Sequence, residues 1–110
     1  MTEPTLNPHY VHEKFVAAGT KWAELNGLAS RLEEMRKSVR AQIMTSMGET
    51  KVNRAEMLAE CDPAYTQHIE KMVEARTKAN IARAEYDAIK AWLELTRTLE
   101  SSKRAEMQMR

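Results

Sequence analysis

The sequence predicts an all-α protein folded as a long antiparallel helical hairpin, coiled-coil-like, with a short connector helix. Of its 110 residues, 30% are charged, 43% are hydrophobic, and only three are Gly and three are Pro. This composition is typical of long helices and coiled coils. Apolar residues recur at steps of three and four in two long segments, which is helical periodicity. Capping residues stand at the ends of both segments.

The first helix is predicted over about 8–47. Asn7 is a suitable N-cap, and Pro8 at the first helical position loses no needed hydrogen bond. Gly48 is a natural left-handed residue after the helix C-terminus. Gly19 and Gly27 lie inside this helix, where each costs about 1 kcal/mol relative to Ala, and they indicate either a bend or a break.

A connector over about 48–62 and a second helix over about 63–105 complete the predicted single helical-hairpin domain, residues 1–110. Asn53, with Glu56 three positions later, resembles a capping box and predicts a short helix at about 54–60. Asp62 and Pro63 repeat the Asn–Pro arrangement that opens the first helix. Because the connection is short, the two long helices are expected to be antiparallel neighbours.

Each long helix has an apolar face that predicts its buried side. The face of the first helix comprises Phe15, Ala18, Trp22, Leu25, Leu28, Leu32, Met35, Val39 and Ile43. The face of the second comprises Ile69, Met72, Ala75, Ala79, Ala82, Tyr86, Ile89 and Leu93. A turn centred near residue 55 pairs Leu28, Leu32 and Met35 with Ala82, Ala79 and Ala75, so that large residues meet small ones.

The second helix also has a second apolar stripe, about 150° around its axis from the first. Its members are Ile81, Ala84, Ala88, Trp92, Leu95 and Leu99. One hairpin cannot cover two nearly opposite faces. The stripe is therefore either an interface for self-association or a partner, or a surface covered by the folded-back N-terminus through Leu6, Tyr10 and Val11. Because two helices have a thin core, we expect a homodimer or higher oligomer forming a four-helix bundle near residues 81–99.

The formal net charge is +1, so any nucleic-acid contact must come from local basic clusters. The candidate residues are Arg36, Lys37 and Arg40 in the first helix and Arg97, Lys103, Arg104 and Arg110 in the second. The first cluster lies near Lys71 and Arg76 in the hairpin. The alternative is that these cations are flanks of i,i+4 ion pairs with Glu33, Glu70 and Glu74. The second cluster is the better candidate because it has fewer acidic neighbours.

We expect no catalytic residue, no cofactor, no metal and no small-molecule substrate. His9, His12 and Glu13 have a spacing that can share a metal, but no third strong ligand has a fixed spacing to them. Cys61 is the one cysteine, which fits a reducing compartment. No apolar run reaches membrane-spanning length, and "MTEPTLNPHY" lacks a signal pattern. The expected location is the cytoplasm, without membrane contact.

The segment "YTQHIEKMVEARTKANIARAEYDAIKAWLELTRTLESSKRAEMQMR" resembles small helical proteins of bacterial phages and prophages, often encoded among early genes for DNA recombination. Its alanine-rich middle and its ending "SSKRAEM" carry the resemblance, which covers about residues 63–110. The resemblance implies a phage context and an accessory, non-enzymatic role. The function we expect is in DNA recombination or replication, through contacts with a phage or host protein, and Lys103 and Arg104 are the candidate contacts for single-stranded DNA. The alternatives are an inhibitor of a host defence complex and a scaffolding protein of a phage particle.

Overall fold

A computed structural model describes residues 7–109, and 40 of them form the first of three α-helices. The helices are α1 (Pro8–Met47), α2 (Val52–Glu60) and α3 (Pro63–Met109), and residues 7–109 contain no β-strand. The predicted fold class, an all-α helical hairpin with a short connector helix, is confirmed. Both long helices begin where the sequence predicts, and α3 continues past the expected end at about 105.

The two long helices begin with the predicted Asn–Pro and Asp–Pro caps. The side-chain oxygen of Asn7 accepts a hydrogen bond from the N–H of His9 at 3.0 Å. Likewise, Asp62 Oδ1 accepts a hydrogen bond from the N–H of Ala64 at 2.8 Å. Each cap satisfies an N–H group that has no partner within its own helix.

The connector differs from the prediction at one helix end. The predicted capping box at Asn53 is wrong, because α2 already begins at Val52, and Lys51 is its N-cap without a side-chain cap. Glu49 instead accepts a hydrogen bond from the N–H of Lys51 at 3.2 Å, and it lies 3.5 Å from Arg54 Nε. Gly48 has a φ of 69°, the left-handed conformation expected where α1 ends.

The chain divides into two compact units. The first contains residues 7–23 and 80–109 of the described chain, and the second is Glu24–Ala79. In each unit a segment of α1 lies antiparallel to a segment of α3. The second unit also contains α2, whose Ala55 and Ala59 are buried.

Aromatic rings fill the middle of the first unit. Tyr86 of α3 stacks on Phe15 with ring centroids 4.9 Å apart, and it lies 5.3 Å from the ring of Trp22. The guanidinium of Arg83 lies over the other side of this group, 5.6 Å from the Trp22 ring. The buried residues around the rings are Val11, Ala18, Ala82, Leu93 and Thr96.

Alanines form the centre of the second unit. Ala29 packs with Ala75 and Ala79, and Leu25 and Leu32 cover this cluster from its sides. Alanine against alanine allows the two helix axes to approach closely. The predicted face of α3 is confirmed, since each of its members is buried or half-buried.

The predicted face of α1 is correct except at two residues. Leu28 and Met35 are 47% and 45% exposed, so they are wrong as core residues, and Ala29 is fully buried instead. Leu32 packs against the cluster that contains Ala79, as predicted, and Ala29 is an additional member of that cluster. The buried residue of α1 in this region is Ala29, one position after Leu28. Because one helical residue rotates the side-chain direction by about 100°, this shift turns Leu28 towards solvent.

Candidate interaction surfaces on α3

The second apolar stripe of α3 is largely exposed in the structure. We call Ile81, Ala84, Ala88, Trp92, Leu95 and Leu99 the α3 stripe. Ile81 and Leu95 are each 56% exposed and Leu99 is 41% exposed. Ala84 and Ala88 between them are also exposed. The predicted residues therefore form a line of accessible apolar side chains on one side of the first unit.

Trp92 differs from the other members of the α3 stripe. It is half-buried, and its ring meets the ring of Tyr10 edge-on with centroids 6.1 Å apart. Val11, the next residue, is completely buried. The start of α1 thus covers part of Trp92, as one of the two sequence interpretations expected. Leu6, the third residue of that interpretation, lies outside the described residues.

The position of α1 explains why the rest of the α3 stripe is exposed. In the first unit, α1 packs on the face of α3 that contains Ala82, Tyr86 and Leu93. These residues follow steps of four and seven, so they share one side of the helix. The α3 stripe lies about 150° around the helix from them, on the side that α1 leaves open, and Trp92 is the member that meets a side chain of α1, Tyr10.

The basic cluster of α1 is partly used in ion pairs. Arg40 Nη1 lies 3.3 Å from Glu60 Oε1 on α2. Arg76 of α3, expected nearby, binds Glu33 instead of remaining free. Arg36 and Lys37 are exposed. Of the acidic residues expected in i,i+4 pairs, Glu74 pairs with Lys78 at 3.1 Å, whereas the pair of Glu33 with Arg76 joins two helices. The interpretation of the whole cluster as i,i+4 ion pairs stays a prediction.

The basic cluster of α3 lies beyond the last buried residue. Thr96 is 1% exposed, and residues 97–109 are all exposed. Arg97, Lys103 and Arg104 belong to this exposed part of α3. Arg110 lies outside the described residues.

Arg76 forms the most extensive polar contact of the second unit, and the sequence did not predict it. Its Nε and Nη2 donate to the two carboxylate oxygens of Glu33 at 2.9 and 2.7 Å. Its Nη1 donates to Asn26 Oδ1 at 2.7 Å, and Nη2 lies 3.4 Å from Ser30 Oγ. The hydrogen bond from Arg76 lowers the pKa of Glu33, and the same bond raises the pKa of Arg76.

His68 is a second polar residue that the sequence left out of the core. It is 9% exposed, and its Nε2 lies 2.8 Å from the backbone oxygen of Leu32. It precedes Met72, Ala75 and Ala79 at steps of four, three and four. That spacing was the signal that could have placed His68 on the buried face of α3.

The remaining candidate groups are accessible and separate. Cys61 is a free, exposed thiol. Within residues 7–109, no group of three His, Cys, Asp or Glu side chains is arranged to hold a metal ion. In the same part of the chain, none of the helices combines the length and apolar character needed to cross a membrane.

A comparison with known proteins finds no family model, no curated protein and no solved structure that matches the chain.

Proposed function

We propose that this chain is a non-enzymatic accessory protein that acts by binding another protein through the α3 stripe. The observation that carries the proposal is the exposure of Ile81, Leu95 and Leu99 along one line of α3. Single exposed apolar residues are ordinary, but a continuous line of them on a helix is typical of a binding surface.

The composition of the α3 stripe suits a partner helix. Ala84 and Ala88 leave room for a second backbone to approach, while the larger residues on either side supply area to bury. Each Å² of apolar surface removed from water contributes about 25 cal/mol. An aliphatic helix face with small residues at its centre is therefore a favourable site for a helix from another chain.

The proposed setting is phage DNA recombination or replication in the host cytoplasm. It rests on the resemblance of residues 63–110 to small phage-encoded helical proteins. In this setting the partner is a phage or host protein that processes DNA, and the chain is an accessory factor rather than the enzyme.

Affinity capture from phage-infected host cells tests this proposal. We expect the chain to recover one DNA-processing protein, and Leu95→Glu to lose it. Val16→Glu is the matched control, because Val16 is 53% exposed but lies on α1. Binding that survives Leu95→Glu would exclude the α3 stripe as the site. Recovery of a defence complex or of virion proteins would refute the recombination setting.

A second contact, with single-stranded DNA, is proposed for the end of α3. Arg97, Lys103 and Arg104 are exposed beyond the last buried residue, where a nucleic-acid backbone has free access. Cations that contact phosphates release counterions, so the affinity must fall as the salt concentration rises.

Fluorescence anisotropy with a labelled oligothymidylate tests the DNA contact. Changing Lys103 and Arg104 together to Glu is expected to weaken binding. It should also reduce the slope of the logarithm of the binding constant against the logarithm of salt concentration by about 1.4, or roughly 0.7 for each lost phosphate contact. The control changes Arg31 and Lys90, exposed cations outside both basic clusters, to Glu. Absence of binding at low salt would remove DNA from the proposal.

A further inference from the structure

We infer that a second copy of this chain occupies the α3 stripe, with the two α3 helices antiparallel about a two-fold axis near residue 90. The inference rests on the proposed function, since it adds a second copy as an occupant of the same surface, and the second copy and the DNA-processing protein would exclude each other from it. It is carried by the order of large and small residues along the α3 stripe and by the small core of the unit that contains it.

The α3 stripe is self-complementary in size when it is reversed. Ile81 and Leu99 are equally far from residue 90 along the chain, so Ile81 of one copy would face Leu99 of the other. Ala88 and Trp92 are also equally far from it. Leu95 would lie opposite Ala84 or its immediate neighbour. A two-fold interface must fit itself in this way, because residue i meets residue j and j meets i.

A parallel pair would not have this fit. Every residue would meet its own copy, so that alanines would face alanines and Trp92 would face Trp92. Gaps would then alternate with steric overlap along the same line. Close packing requires neither voids nor overlap, and it therefore favours the antiparallel arrangement.

The described part of the first unit has few large buried side chains. Its buried apolar residues within 7–109 are Val11, Ala18, Ala82 and Leu93, and two of these four are alanine. Two packed helices bury little apolar surface. A further helix packed against them would bury more of it. The α3 of a second copy is such a helix.

The available area indicates a dimer of moderate affinity. The α3 stripe extends over about 27 Å of helix, at 1.5 Å per residue. Two helices in contact over that length bury on the order of 1,000 Å² in total, near the lower limit for a specific interface. We therefore expect a micromolar dissociation constant.

The resulting assembly has its four helices in a row. Apart from Trp92, which Tyr10 partly covers, the α3 stripe lies on the side of α3 away from α1. The order across the first unit is therefore α1, α3, α3 of the second copy, α1 of the second copy. This differs from the closed four-helix bundle that the sequence suggested, in which each helix borders two others.

Sedimentation velocity of the full chain tests the dimer. We expect the mass to rise from 12.6 kDa towards twice that value as the protein concentration increases through the micromolar range. Leu95→Glu should weaken dimerisation at least about tenfold, which is 1.4 kcal/mol. Val16→Glu should leave it unchanged. Circular dichroism should show equal helicity in both variants, because both residues are exposed. A monomer at all concentrations would overturn the inference.

Disulfide cross-linking tests the orientation, in a Cys61→Ser background that removes the exposed native thiol. Mixing an Ala84→Cys chain with a differently tagged Leu95→Cys chain should give a mixed disulfide, and Ala84→Cys alone should give none. Cross-linking of Ala84→Cys with itself would show a parallel pair and refute the inference.

These outcomes are independent of the capture experiment. If the chain is monomeric but Leu95→Glu still loses a captured DNA-processing protein, the inference fails and the proposed function stands. If the chain forms the antiparallel dimer but captures no such protein, the inference stands and the proposed function fails.

Discussion

Gly19 and Gly27 both lie inside α1, but their surroundings differ. A Cβ atom at Gly19 would lie 3.2 Å from Cε1 of Tyr86, whereas within the described chain nothing lies within 4 Å of a Cβ at Gly27. We expect Gly27→Ala to raise the free energy of unfolding by about 1 kcal/mol. Gly19→Ala should gain less or lose stability, since Tyr86 would have to move from its stack with Phe15. Urea unfolding measures both.

A third glycine variant, Gly48→Ala, tests backbone strain. Gly48 has a φ of 69°, which is strained for an alanine, although nothing in the described chain crowds the position. The variant should therefore unfold at lower urea concentration than the wild type. Equal gains for Gly19→Ala and Gly27→Ala would mean that the Tyr86 ring gives way freely, contrary to the tight packing of the first unit.

Glu33 makes the stability of the second unit depend on pH. Its pKa is lowered in the folded chain by the hydrogen bond from Arg76. A carboxyl with a lowered folded pKa stabilises the protein above its unfolded pKa, and this stabilisation is lost as the pH falls through the folded pKa. We expect Glu33→Gln to remove that part of the acid sensitivity.

Urea midpoints measured between pH 7 and about pH 3 test the role of Glu33. The difference between wild type and Glu33→Gln should be largest at neutral pH and should shrink on acidification. Glu34→Gln is the control, because it removes a neighbouring exposed carboxyl. Parallel profiles for wild type and Glu33→Gln would contradict the structural role assigned to the Glu33–Arg76 pair.

The caps of the helices give a test at the scale of whole elements. Asp62 accepts a hydrogen bond from the N–H of Ala64, so Asp62→Ala should lower the free energy of unfolding by about 1 kcal/mol. Asn53→Ala is the control, because Asn53 lies inside α2 and is not its cap. Thermal unfolding followed by circular dichroism measures both variants. An equal loss from Asn53→Ala would restore the capping role predicted from the sequence.

The helix ends were predictable from the sequence where they depend on interactions between residues close together in the chain. Caps at Asn7 and Asp62 act within three residues, and the left-handed Gly48 requires no distant contact, so the ends of α1 and the start of α3 were found. The register between the helices was found only in part. It depends on long-range contacts, such as the pair of Arg76 with Glu33 and the packing of Ala29, which apolar periodicity cannot distinguish from a neighbouring register.

The same distinction applies to the α3 stripe. Its periodicity predicted a second apolar face, and the exposure of Ile81, Leu95 and Leu99 agrees with that prediction. The contact of Trp92 with Tyr10 depends on where α1 begins relative to α3, and the sequence left it as one of two alternatives. His68 and Arg76 were missed because polar residues on a buried face give no hydrophobic signal.

At the scale of the whole molecule, the described chain has a core made largely of alanine. The largest completely buried side chains are Val11 and Thr96, while large aliphatic side chains such as Ile81 and Leu95 are exposed. The half-buried aromatic contacts therefore contribute much of the stability of the single chain, and the exposed aliphatic residues contribute little to it. Stability and binding are then separable by mutation on one helix.

Trp92 and Leu95 provide that separation, three residues apart on α3. At concentrations well below the micromolar range, where the chain is expected to be monomeric, Trp92→Ala should lower the free energy of unfolding by about 2 kcal/mol. This is less than the 3–5 kcal/mol of a fully buried Trp, because Trp92 is half-buried against Tyr10. Leu95→Ala should change it by less than about 0.5 kcal/mol. Urea unfolding followed by circular dichroism measures both, and equal losses would place Leu95 in the hairpin core and remove it from the binding surface.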